Sequence, residues 1–342
     1  MSTYLGQSVS YTDMNRLVPR VHEFSIGVQR ELPFRSVLEV SYVGSRSQQL
    51  NVSQNLNVVT WAQLLQYGAN ASPNLTTSET NPFAGLLPST GINGATTTLQ
   101  QLLLPHPQFT GITEQNIPVG KSWYNSLQVR WDKRVTHGLN VLVSYTHSRW
   151  LDATSYLNAQ EPLTQTPDRT LDGTDTPHRI AISGNLQIPF FANTHGFVGV
   201  LLKGWYLNGV FEAEAGFPLA APGGYWSSGI NPALPGGVNL TKGFNTCTLL
   251  TNGTDENCTY NGQTLPVAFI QQYSNTPRSL SGYFPTIRPP EVPNADVSMF
   301  KSVTVHERYR VQFRAEAFNF TNSPQFTFRA RVSPRPRQVS RL

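Results

Sequence analysis

Glu212 and Glu214 are the pair in this chain most suited to acid/base chemistry. Positions i and i+2 of a strand share one face, so the two carboxylates form either a general acid and base or part of a wetted wall. Trp205, Leu207, Phe211, Ala213 and Ala215 alternate with Tyr206, Asn208, Glu212 and Glu214, which favours the wall. Asp172, Asp175 and His178 form a D-x-x-D-x-x-H string. Its donors suit a metal, but a polar loop running into a strand gives the same pattern. The histidines at 22, 106, 137, 147, 178, 195 and 306 lie far apart, and no GxSxG, HExxH or CxxC motif accompanies them. No catalytic, cofactor-binding or metal-binding residue is assigned, and neither enzymatic activity nor a cofactor is expected. Cys247 and Cys258, the two cysteines, sit in the polar stretch CTLLTNGTDENC. A short loop of that kind fits an extracytoplasmic disulfide; the alternative is two unpaired thiols.

The elements that carry these residues read as strands. Trp123, Leu127, Val129 and Trp131 fall on one face and Tyr124, Ser126, Gln128 and Arg130 on the other. After a turn at 132–138, Leu139, Val141, Val143 and Tyr145 oppose Asn140, Ser144 and Thr146. Period-two alternation over about nine to eleven residues is what a tilted strand needs to cross a bilayer. The same pattern recurs in hairpins at 21–30 with 34–44, at 178–188 with 204–215, and at 295–301 with 307–320. Between the hairpins run long polar connections at 45–120, 148–177 and 216–293. Such lengths are uncommon in a compact soluble domain and ordinary on the rim of an outer-membrane barrel. Within the first, Trp61, Leu64 and Leu65 have the spacing of a helical turn or two. In the third, Phe217, Tyr225, Trp226, Phe244, Tyr273, Tyr283 and Phe284 either line a binding surface or pack the loop against itself.

Composition agrees with this pattern. Charged residues make up 13% of the 342, about half the share usual in a soluble domain. Mean hydropathy is −0.29, and no apolar run reaches the length of a transmembrane helix. A barrel needs no such run, because only alternate residues meet lipid. The net charge of +5 is spread singly over strand ends, apart from a basic cluster between Arg329 and Arg341 in a proline-interrupted tail. No nucleic-acid motif accompanies it, so nucleic acid is not an expected partner. Tyr42, Trp123, Trp131, Tyr145, Trp150 and Trp205 at strand ends fit an interfacial aromatic girdle.

Six phrases carry a family resemblance: VHEFSIGVQRELPFRSVLEVSYVGSRSQQL, LLLPHPQFTGIT, YNSLQVRWDKRVTHGLNVLVSYTHSRWLD, DTPHRIAISGNLQIPF, GWYLNGVFEAEAGFPL and RYRVQFRAEAFNFTNSPQF. In this order, from about Val21 to Phe326, they resemble the C-terminal barrel of TonB-dependent, Oar-like outer-membrane receptors of the carboxypeptidase-regulatory-like-domain type. The resemblance implies a barrel of about twenty-two strands, filled by a plug and energised by a TonB-type complex through an N-terminal region. It also implies folding by the barrel-assembly machinery and uptake of an unidentified small nutrient ligand. The chain departs from it in three ways. It has no plug or TonB-box region, it supplies eight or nine strands, and it ends in PRQVSRL rather than an aromatic-terminated strand. The opening MSTYLGQSVSYTDMNRL has no basic n-region followed by an apolar stretch. A barrel must be exported, so the expectation is a C-terminal piece whose signal and upstream domains lie elsewhere.

The expected fold is therefore all-β: an antiparallel up-and-down transmembrane β-barrel segment of about eight to nine strands with long extracellular loops. A lead-in spans 1–20, the partial barrel 21–328, and a basic, proline-rich tail 329–342, with a stub of a last strand at 337–342. The expected location is the cell outer membrane, in contact with its lipid. The alternative is a soluble or surface all-β carbohydrate-binding or adhesive protein, whose apolar faces would meet in a dry core.

Overall fold

A computed structural model describes residues 4–68, 72–87, 91–136, 138–157, 166–189, 196–221, 223–234, 243–272, 280–291, 293–305 and 309–324. Ten strands form one large sheet: β1 (Ser8–Thr12), β2 (Arg20–Leu32), β3 (Ser36–Asn55), β4 (Gly111–Thr136), β5 (Leu139–Ala153), β6 (Thr170–Leu171), β7 (His178–Gln187), β8 (Trp205–Glu214), β9 (Asn294–Val305) and β10 (Tyr309–Ala317). Eight of them follow one another as an antiparallel meander in the order β2-β3-β4-β5-β7-β8-β9-β10, while β1 pairs in parallel with β4 and β6 pairs with β5. Short turns join β2 to β3, β4 to β5 and β9 to β10, and the long connections likewise return the chain to the neighbouring strand, so elements adjacent in sequence pair in space. The sheet is not closed; β2 and β10 form its edges.

Cross-strand partners share a face, so the register shows whether the alternation of each strand lines up with the next. It does. Leu38 lies opposite Trp131, which opposes Val143, then Ile182, then Phe211. The row above runs Val28, Val40, Val129, Tyr145, Ile180 and Ala213. Another joins Leu139, Leu186, Leu207, Met299 and Ala315. A slip of one residue at any strand would have broken all three. The apolar face is exposed rather than packed: Phe24 is 45% and Phe313 58% exposed, and Ile26, Val28, Val40 and Leu127 are exposed as well. Phe24, Leu38, Val129, Val143, Ile182 and Phe313 share no interior; none of them is in a buried cluster.

Most of the buried apolar side chains lie instead in the long connections. Val59, Leu64 and Leu75 cluster with Trp61, Tyr67, Leu103 and Leu104. Here the helix Trp61–Gln66 starts at a Thr60 cap, with Gln63 closing a capping box. Two further clusters lie in the third connection, around Phe244, Phe269, Phe284 and Ile287, and around Leu234, Cys247 and Leu265. Short strands Tyr225–Ser227, Phe269–Gln271, Thr248–Leu249 and Asp255–Glu256 give that connection a small sheet of its own.

Three sequence expectations change. The first connection does not begin at residue 45, because β3 continues to Asn55 and β4 starts at Gly111. At about 3.3 Å per residue the 26 residues of β4 rise roughly 85 Å, far more than a bilayer crossing needs. The two strands therefore stand above the membrane level as a ribbon, with register shifts between Ser47 and Gln54. The 1–20 segment is not only a lead-in, since Ser8–Thr12 pairs with that ribbon. The last two strands run Asn294–Val305 and Tyr309–Ala317. The basic tail at 329–342 and its stub lie outside the described residues.

Candidate functional site

The face opposite the apolar one is a polar wall. Glu39 opposes Arg130 and Ser144, then Ala181 and Glu212. The next row toward the loops runs Ser41, Gln128, Thr146, Arg179 and Glu214. Asn140, Asn185, Asn208 and Ser298 make a ladder of amides and a hydroxyl across four strands. That ladder borders a depression lined by Asp132, Asn140, Ser183, Asn185, Asn208 and Val210. Glu212 and Glu214 sit on this wall, where Arg179 pairs with both at 3.8 and 4.0 Å. Both carboxylates thus share one exposed guanidinium on the wall. This is the wall arrangement, not a poised acid beside a base. Arg130–Asp132 and Arg314–Glu316 pair on the same face.

Above the wall, two connections fold together around one buried ion pair. Arg288 donates from Nη2 to Asp175 Oδ2 at 2.6 Å, with side chains 13% and 2% exposed. Its Nη1 also donates to the Asp175 and Gly216 carbonyls. The other Asp175 oxygen accepts from the Trp150 backbone N–H at 2.6 Å. One carboxylate thus joins the top of β5, the second connection and the third. Gly173 packs so closely on Tyr283 that a Cβ there would fall 2.6 Å from the phenol oxygen.

The D-x-x-D-x-x-H string does not converge. Asp172 accepts from the Thr174 backbone N–H and hydroxyl, and Asp175 is the clip just described. His178 Nδ1 and the Tyr145 hydroxyl share a hydrogen bond of 2.8 Å, and the His178 ring lies tilted against His147 with ring centroids 4.8 Å apart. Among the described residues no group of three or more potential ligands forms a metal site.

Three of the loop aromatics pack the loop itself: Tyr225, Phe244 and Phe284 are buried in one cluster, whereas Phe217 and Trp226 are exposed. Tyr273 lies outside the described residues. Burial pushes the Tyr225 phenol up from its ordinary value, with the Glu256 charge adding to it. A disulfide joins Cys247 to Cys258 beside Leu234 and Leu265. Sequence reading missed Arg288, whose acidic partner lies 113 residues away.

No helix is long and apolar enough to cross a membrane, which says nothing about crossing by strands. A family model described as outer membrane beta barrel domain matches residues 1–336. No curated protein matches the sequence. Among solved structures, the outer membrane transporter YddB from Escherichia coli aligns with a TM-score of 0.42 and 7% identity, covering 93% of this chain and 31% of that one. The chain thus spans about a third of that protein's length.

Proposed function

The chain belongs to the outer membrane beta barrel domain family, and from that premise we propose that it is part of a TonB-dependent, Oar-like receptor-type transporter that takes up a nutrient ligand. The observation that carries the proposal is the open polar wall. Eight meander strands present a continuous wall of amides, hydroxyls and bridged charges, with folded loops standing over it. A small closed barrel of eight strands fills its interior with side chains. Here no buried cluster lies on that face among the described residues, as suits a wall of a wider lumen.

The open edges support the same reading. In hydrocarbon each unpaired backbone N–H or C=O costs several kcal/mol, and among the described residues β2 and β10 each have a partner on one side only. Further strands therefore complete the barrel, and a plug and TonB-type contact belong to the parts that complete it. The barrel-assembly machinery inserts it. No catalysis is assigned, because Glu212 and Glu214 are held by Arg179 as wall groups. The soluble carbohydrate-binding alternative would leave the apolar face in water.

The test is uptake. Cells carrying the complete barrel should deplete one member of a siderophore, oligosaccharide and peptide panel, and collapse of the inner-membrane proton gradient should stop that depletion. Depletion that continues after the collapse, or none at all across the panel, contradicts the proposal.

A further inference from the structure

The carboxylates of the sheet are sorted by face. Glu23, Glu31, Glu39, Asp132, Asp152, Glu212, Glu214, Asp296 and Glu316 all fall on the polar face by register. The outward face has no carboxylate at any paired position from β2 to β5, yet toward the loop end it carries Arg20, His22, Arg46, Lys121, His147 and Arg149. Pairing differs too. Arg130, Arg179 and Arg314 on the polar face each bridge to a carboxylate. Arg46 donates only to the Ser45 and Tyr124 carbonyls and to Asn125 Oδ1, the last at 2.7 Å. Arg149 is the cross-strand partner of Asn125, whose amide oxygen also accepts from the Tyr42 hydroxyl. Beside them Arg169 stacks over Trp123 at 4.6 Å.

Such a belt has a physical requirement. Just below it the same face is apolar, with Val28, Val40, Val129 and Tyr145 in the next row, so the belt sits where hydrocarbon gives way to headgroups. Cations at that level are stabilised by anionic headgroups, and guanidinium binds phosphate through paired N–H groups. We propose that the outward surface around Arg46, Asn125 and Arg149, with Arg169 on Trp123, is a binding site for a phosphate-bearing lipid headgroup of the outer leaflet. The proposal rests on the apolar face lying in the membrane and needs nothing from the transported ligand.

The full chain in detergent micelles, offered lipid A with or without its phosphates and read by native mass spectrometry, tests it. The phosphorylated lipid should be retained roughly tenfold more than the dephosphorylated one. Combining Arg46→Gln with Arg149→Gln should remove that preference, Arg46→Lys should keep most of it, and the polar-face control Arg130→Gln should leave it intact. Equal retention of the two lipids overturns the proposal. So does equal loss in the Arg130→Gln control, or displacement by millimolar inorganic phosphate, which would mark a phosphate site rather than a lipid site. Quenching of tryptophan emission by acyl-chain bromine separately reports whether the face lies in lipid. Quenching without headgroup preference rejects the site alone, and no quenching rejects the membrane reading beneath it.

Discussion

Replacing Arg288 with leucine removes the one guanidinium that bridges Asp175, a carboxylate 2% exposed and fixed by the Trp150 N–H. The carboxylate stays where it is, because its other oxygen is held by β5, and so becomes an unpaired buried charge. Breaking a buried pair from one side costs about 3–5 kcal/mol. The Gly216 and Asp175 carbonyls lose their donor as well, which places the expected cost toward the upper end. At about 1.4 kcal/mol per decade, local opening of the 216–293 connection should become roughly 140- to 3,700-fold more frequent. Hydrogen exchange followed by mass spectrometry reads this directly: peptides at 216–221 and 280–291 should lose protection while β4 and β5 keep theirs. Combining Arg288→Leu with Asp175→Asn should recover a large part of the loss, since the stranded charge is gone. Unchanged exchange in the single variant would refute the reasoning, and so would a double variant as damaged as the sum of the two singles.

Three other expectations follow from the same geometry. Val129→Arg, on the outward face, should cost about 2–4 kcal/mol of stability in bilayers, whereas Gln128→Arg, one residue away on the polar wall, should cost little; urea titration of the bilayer-inserted protein compares them. Reducing the Cys247–Cys258 bond, which spans 11 residues, should cost the third connection about 3 kcal/mol, seen as faster proteolysis within 243–272. The raised Tyr225 phenol implies that its contribution to loop stability is whole below the ordinary value of 10.0 and is lost as pH rises through the higher folded value. Unfolding of the loop should steepen above pH 10 in the native chain, and Tyr225→Phe should flatten that dependence.

The membrane-level strands were legible because burial on one face imposes a period of two, and the period survives in single sequence. Val129 and Gln128, or Val143 and Ser144, reveal their faces without any partner. The upper ribbon was not legible. Past Ser47 the pairing shifts register three times before Asn55, so no steady alternation marks β3 and β4 there. The helix Trp61–Gln66 was visible in the spacing of Trp61 and Leu64, which pack into a local cluster. The aromatic loop was ambiguous for a physical reason: a ring that packs a loop and a ring that meets a ligand have the same chemistry. Only position separates buried Phe244 from exposed Phe217. Asp175 was noticed as a potential metal ligand, but its partner Arg288 is a lone basic residue before two prolines. Nothing local marks it as the other half of a clip.

Site-directed spin labelling along β5, Leu139–Ala153, reads most directly which side of the sheet meets lipid. Labels at 139, 141, 143 and 145 should be reached by oxygen dissolved in the bilayer and shielded from a water-soluble nickel chelate, with 140, 142, 144 and 146 showing the reverse. Odd positions shielded from both reagents, as in a dry shared core, would contradict a membrane-spanning wall.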